Sequence, residues 1–280
     1  MARCRILWQY TRLFESTSPS VRISPGYSPV NINGPRNISS MSQSEDLQAY
    51  LSQASVAPGV FELRPDYRAL LVAIEGIEAG PSDEQSEALL QEAEKTARTK
   101  LASQPVTELA HIASWRDAYK AFGSKPNKYR NSLEALTRRA EAGLPRVNRL
   151  TDIYNAISVK NQIPFGGEDL DKYSGAAKLV RSTGKEEFTI TASGVTVIEH
   201  PEVGEVVWCD DAGVTCRRWN WRQGPRTAIS DDTTRVLFIM DALAPVSNEN
   251  LDATAAELIA EISKFSPQCR VAQRLIKSEA

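Results

Sequence analysis

The spacing of apolar residues changes part-way along the chain. In the first half it follows a helical repeat. "PSDEQSEALLQEAEKTARTKLA" places Leu89, Leu90, Ala93, Ala97 and Leu101 on one face, with Ser82 and Gln85 as the expected capping box. "TELAHIASWRDAYKAFG" repeats the pattern through Leu109, Ile112, Trp115, Tyr119 and Phe122, with Thr107 as expected N-cap and Gly123 as the stop. His111 lies beside that stripe and reads as a partly exposed structural residue. A third helix is expected from Ser132 to Gly143, and a fourth from Asn148 or Thr151 through Ile157. From Ala176 the period becomes two. "AAKLVRS", "EEFTIT", "GVTVIEH", "GEVVWCDD", "GVTCRRWNW" and "RVLFIMDAL" read as strands joined by turns that carry Gly or Asp. Two further strands, 60–63 and 69–74, are expected around Pro65. A last helix is expected over 248–264, and "CRVAQRLI" fits helix or strand equally. Helices clustered before strands predict an α+β fold, with helices packed on a mostly antiparallel or mixed sheet.

Residues 1–44 stand apart. They hold Arg3, Arg5, Arg12, Arg22 and Arg36, many serines and prolines, and one acidic residue, Glu15. Such a segment reads as a disordered leader or a transit peptide. Met41 offers a second start. The expectation is therefore a cytoplasmic protein, with a mitochondrial form carrying the first 40 residues. One domain is expected over 45–280, with its core at 58–277. The chain has 41% hydrophobic and 24% charged residues and a formal net charge of −2, so any affinity for nucleic acid must come from a local patch. No apolar run approaches bilayer length, and no membrane partner is expected. The four cysteines include no C-x-x-C pair, which fits a reducing compartment. With only two histidines, far apart in sequence, neither a zinc site nor any other metal site is expected.

The signatures of P-loops, dinucleotide-binding turns, serine-hydrolase elbows and zinc proteases are absent from the sequence. "PFGGEDLDKY" reads as a solvated turn or, less simply, a magnesium loop. Two basic stretches stand out. "KPNKYR" contributes Lys125, Lys128, Tyr129 and Arg130. "CRRWNWRQGPRT" contributes Arg217, Arg218, Trp219, Trp221 and Arg222. Cations interleaved with aromatics suit RNA, where charges meet phosphates and rings stack on unpaired bases. The same composition also suits an exposed edge strand whose arginine stems lie across tryptophan faces. Strand alternation would set Arg218, Asn220 and Arg222 on one face and Trp219, Trp221 and Gln223 on the other.

The ordered segments "WRDAYKAFGSKPNKYRNSLEAL", "LPRVNRLTDIYNAI", "PFGGEDLDKY" and "CDDAGVTCRRWNWRQGPRT" resemble a free-standing member of the B3/B4 tRNA-binding domain family. That module is otherwise the editing domain of the phenylalanyl-tRNA synthetase β subunit. The resemblance implies hydrolysis of a misacylated aminoacyl-tRNA ester by a positioned water, with no covalent nucleophile and no cofactor. The implied partners are the tRNA acceptor end with its attached amino acid, and a synthetase. In "VNRLTDIYN", Asn155 falls where the synthetases have a pocket asparagine, and Tyr154 replaces the threonine before it. Gly166 replaces the editing-site histidine, and Gln223 or Gly224 stands near the position of a glutamate. Asn155, Asn220, Gln223 and Thr227 are the candidate catalytic residues; Lys125, Lys128, Tyr129, Arg130, Tyr154, Arg217, Arg218, Trp219, Trp221 and Arg222 are the candidates for tRNA and substrate binding. The three departures leave two alternatives open: a tRNA- or RNA-binding module without catalysis, or a protein that binds a small amino acid.

Overall fold

The computed structural model describes residues 43–279 except residue 193, so nearly all of the expected leader lies outside the described residues. Gln43–Gln53 forms α1 and Ser55–Val56 a short strand, β1. Residues 60–63, expected as a strand, belong to α2 (Pro58–Leu63). Pro58 sits in its first turn, where a fixed φ and a missing N–H favour a helix start. β2 (Arg68–Glu75) follows. The strongest expected helix is α3 (Glu84–Ser103), but its capping box is Asp83 with Ser86. Ser82 instead donates to the Asp152 carboxylate, and Gln85 reaches Glu261 at 2.9 Å. Thr107 lies within a 3-10 turn, Val106–Glu108, and α4 (Ala110–Ala121) starts after it with no side-chain cap. α5 (Ser132–Arg139) and α6 (Arg149–Asn161) are capped by the Asn131 and Asn148 side chains.

The segment expected to be a solvated turn is β3 (Phe165–Asp169), four of whose five residues are buried, followed by a 3-10 turn at Leu170–Lys172. Next come β4 (Lys178–Arg181), β5 (Phe188–Ala192), β6 (Val195–Glu199), β7 (Val206–Asp210), β8 (Gly213–Arg217) and β9 (Arg222–Gln223). β10 (Arg235–Ala242), α7 (Asn248–Ser263) and β11 (Arg270–Lys277) complete the chain, so "CRVAQRLI" is a strand. The strands form a mixed sheet ordered β1-β4-β7-β8-β9, an antiparallel sheet ordered β11-β2-β10-β3, and the hairpin β5-β6. The class is α+β.

The central strands β2 and β10 of the antiparallel sheet are buried on both faces, which explains why they read as continuous apolar runs. Val72, Ile74, Phe165, Val236, Phe238 and Met240 face α6 and α7, meeting Ile153, Ile157, Leu251 and Leu258. Leu71, Ala73, Leu237 and Ile239 point the other way, toward Leu179 and Trp208 of the mixed sheet and Trp115 of α4. Buried polar residues, Glu168, Asp241, Thr215 and Thr227 among them, lie in this layer between the two sheets. His111, expected to be partly exposed, is buried: its Nε2 accepts from Trp115 Nε1 and Leu243 N, both at 3.1 Å, and its Nδ1 faces Gln162 O at 2.7 Å. Burial pulls its pKa down to about 4, so it is neutral and structural. No helix among the described residues is long and apolar enough to cross a membrane.

Candidate active site and its approach surface

The strand expected across 213–221 ends at Arg217. Arg218 and Trp219 adopt φ of 47° and 66°, the left-handed region that bulky side chains rarely enter. Trp219 N donates to Val206 O at 2.6 Å, and the chain returns as β9, with Arg217 opposite Arg222 and Cys216 opposite Gln223. This turn abolishes the alternation read from the sequence. Trp219 is fully buried, its ring 4.9 Å from Tyr67 and 5.3 Å from Trp115. It is a core residue, and no substrate reaches it. Arg217 is fixed to the Glu205 carboxylate by two 2.8 Å hydrogen bonds and to Glu199 at 3.0 Å. Arg218 lies 3.5 Å from Glu205, with its guanidinium 3.6 Å over the Tyr129 ring and 4.6 Å over Trp221. Both arginines are buried and paired to carboxylates inside the molecule, so neither presents a charge to a phosphate.

The same stacking joins the two basic stretches, which are distant in sequence. Tyr129 meets Trp221 edge-on at 4.9 Å, and Ser132 N donates to Asn220 O at 2.9 Å. Lys125 and Lys128 are exposed and form no ion pair among the described residues; Lys128 Nζ sits 4.8 Å from the Tyr129 ring. Exposed Arg130 stands 3.8 Å from Glu134, a carboxylate that Arg116 already holds at 2.9 Å. Arg222 lies 6.0 Å from the Trp221 ring. Lys125, Lys128, Arg130 and Arg222 therefore surround the Tyr129–Trp221 pair as one basic, aromatic surface.

β9 leads from this surface into the gap between the sheets. Directly opposite residues share a side of the sheet, so Trp208, Cys216 and Gln223 face inward together. On the antiparallel sheet, Gly166 and Glu168 pair with Ile239 and Leu237 and face the same gap. Gln223 Nε2 donates to Gly167 O at 3.1 Å, and Asp169 N to Thr227 O at 2.8 Å, which closes the edge of β3. Tyr173 donates to Glu168. A register shift in the β7–β8 pairing leaves Thr215 as an extra residue, and its hydroxyl lies 3.4 Å from that of Tyr173. Burial pushes the Glu168 pKa up to about 7, against the opposing pull of Tyr173, Thr215, Thr227 and Arg226. Farther along the same face, Asp241 accepts from Tyr67 at 2.6 Å and from Asn220 at 3.2 Å. Burial raises its pKa to about 7 as well. Burial first, and then Glu168 and Asp241, push the Cys216 thiol up, so it is no thiolate nucleophile.

Of the candidate catalytic residues, the structure brings Gln223 and Thr227 together at β3. Asn220 is committed to Asp241 and to Tyr119, whose hydroxyl lies 3.0 Å away. Asn155 sits about 200° around α6 from Ile153, away from the sheet. Tyr154 packs on Phe165 and Phe238, on the opposite face of the sheet from Glu168. Sequence reading missed Glu168, Tyr173 and Asp241. The available signal was the alternation within "FGGED", which sets Gly166 and Glu168 on one side of a strand. Among the described residues, no group of three or more His, Cys, Asp or Glu side chains could hold a metal ion.

A family model, described as the B3/4 domain, matches residues 114–264, more than half of the chain and inclusive of Tyr129, Glu168 and Gln223. No curated protein matches. Among solved structures, an N-terminal fragment of the phenylalanyl-tRNA synthetase β-subunit from Pyrococcus horikoshii is similar, with 10% identity and a TM-score of 0.42. That likeness covers 81% of this chain and 54% of the fragment, so the chain spans about half the fragment's length.

Proposed function

Because the chain belongs to the B3/4 domain family, we propose that it binds the acceptor end of tRNA and hydrolyses the ester of a misacylated aminoacyl-tRNA. One observation carries this reading. Within Trp221–Arg222–Gln223 the chain passes from a basic, aromatic surface to buried polar residues packed between two sheets, beside the open space at Gly166. Lysine and arginine on that surface suit phosphates, and ring edges suit unpaired terminal bases. The gap offers a carboxamide and hydroxyls but no activated nucleophile. An aminoacyl ester is reactive enough for a positioned water to cleave it. A synthetase is the protein partner this reading implies.

The full chain should release one labelled amino acid selectively from a panel of correctly and incorrectly charged tRNAs. Gln223 Nε2 is taken up by Gly167 O and Thr227 O, which leaves Oε1 to orient the water as an acceptor, so Gln223→Ala should slow that release on the order of 10²-fold. Gly166 favours a second reading, a tRNA-binding module without hydrolysis, because the resemblance places a histidine there. Salt-dependent tRNA binding with no release from any charged species would support that module and sink the hydrolase.

A further inference from the structure

Glu168 is an isolated buried acid. It is 4% exposed and forms no ion pair among the described residues. The cation nearest in effect, Arg226, is held by Asp210 at 2.7 Å and 2.8 Å. Beside Glu168 the Thr227 side chain is fully buried; its hydroxyl helps to pull the Glu168 pKa down but completes no close hydrogen bond. Two residues back along the same strand face, about 7 Å away, is Gly166. A Cβ placed there would meet nothing within 4 Å, whereas one on neighbouring Gly167 would strike Ile229 and Phe238. Glu168 therefore has neutral donors but no charged partner, with the Thr227 hydroxyl beside it and open space at Gly166 on the same side of β3.

We infer that this space receives the α-amino group of an aminoacyl ester, with the Glu168 carboxylate as counter-charge to the ammonium and the Thr227 hydroxyl as a further acceptor. The inference rests on the aminoacyl-tRNA reading above. A water would satisfy the hydroxyl but leave the charge unpaired. A primary ammonium brings both a charge and three donors, and leaving a buried carboxylate unpaired is costly. The remaining charged or titratable groups around Glu168 are Arg226 and Asp210, Asp241 along the sheet, Cys216 opposite, and Tyr50 and Tyr173 above it. Burial raises the pKa of both tyrosines, so they stay neutral at physiological pH and act on the carboxylate as neutral groups. The body of the amino acid would lie over Gly166, where a side chain would otherwise occupy the gap.

Two stable mimics separate the possibilities: the L-alanyl amide of 3′-amino-3′-deoxyadenosine, and its propionyl counterpart, which differs only in lacking the amino group. Calorimetry on the full chain at pH 7.5 should show the alanyl compound binding at least about ten-fold more tightly, the scale of one charge-assisted hydrogen bond. The preference should shrink as pH falls below about 7 and Glu168 takes up a proton. Glu168→Gln should abolish the preference while leaving propionyl binding and the melting temperature near wild type. Thr227→Val should weaken the preference without removing it. Equal affinity for the two mimics, an unchanged preference in Glu168→Gln, or no binding of either at millimolar concentration overturns the inference. Deacylation of tRNA with no amine preference defeats the inference alone. Amine preference with no deacylation defeats the hydrolase and leaves the ammonium site standing.

Discussion

Arg217 and Arg218 show how one composition serves two ends. "CRRWNWRQ" reads as a nucleic-acid face, yet two of its three arginines and one of its two indoles build the interior. What decides is the pair of left-handed residues at Arg218 and Trp219, and no side-chain pattern announces those. Glu205, which accepts from Arg217 Nε and Nη2 and from Arg218 N, is the centre of this arrangement. Removing one partner of a buried ion pair leaves the others uncompensated and typically costs about 3–5 kcal/mol. Glu205→Ala should therefore lower stability by about that amount in chemical denaturation. A variant that kept its stability but lost tRNA affinity would mean that these arginines reach the ligand after all. Lys125, Lys128 and Arg130 were legible from sequence because exposed cations on a loop need no tertiary knowledge to be placed outside.

At the scale of elements, the long periodic pieces were readable and the short ones were not. α3 and β10 appear where their spacing predicts, because each buries a continuous face. α2 and β3 do not. Six residues beginning "PG" suit a helical turn or a strand, and "FGGED" looks solvated until its edge is closed by residues 223–228. The candidate site depends on that misread strand, so most of the site was hidden with it. Gly166 and Gly167 give a paired test of the register. A Cβ at Gly167 would come within 2.7 Å of Ile229 and 2.8 Å of Phe238, while at Gly166 it enters open space. Gly167→Ala should destabilise by about 1–3 kcal/mol, as overpacking of a core does, and Gly166→Ala by much less. Equal melting temperatures for the two variants would contradict the strand and the side of it that faces the gap.

At the scale of the molecule, the net charge of −2 hides a local concentration of cations around Tyr129 and Trp221. The fold brings "KPNKYR" and "RRWNWR" together through Arg218, which works as an internal strut between two rings while the unpaired lysines stay outside. A chain acidic overall but basic at one face should bind nucleic acid weakly and with strong salt dependence. The face lies next to the gap that holds Gln223, Thr227 and Glu168, so binding and any chemistry would belong to one ligand. The most direct test of that assignment is the affinity of the full chain for tRNA, measured across a range of salt concentrations for wild type and for the Lys125→Ala, Lys128→Ala double variant. The account predicts weaker binding in the variant and a plot of log affinity against log salt that is shallower by about two, one for each lost phosphate contact. Identical affinities and slopes would contradict it and place the tRNA surface elsewhere.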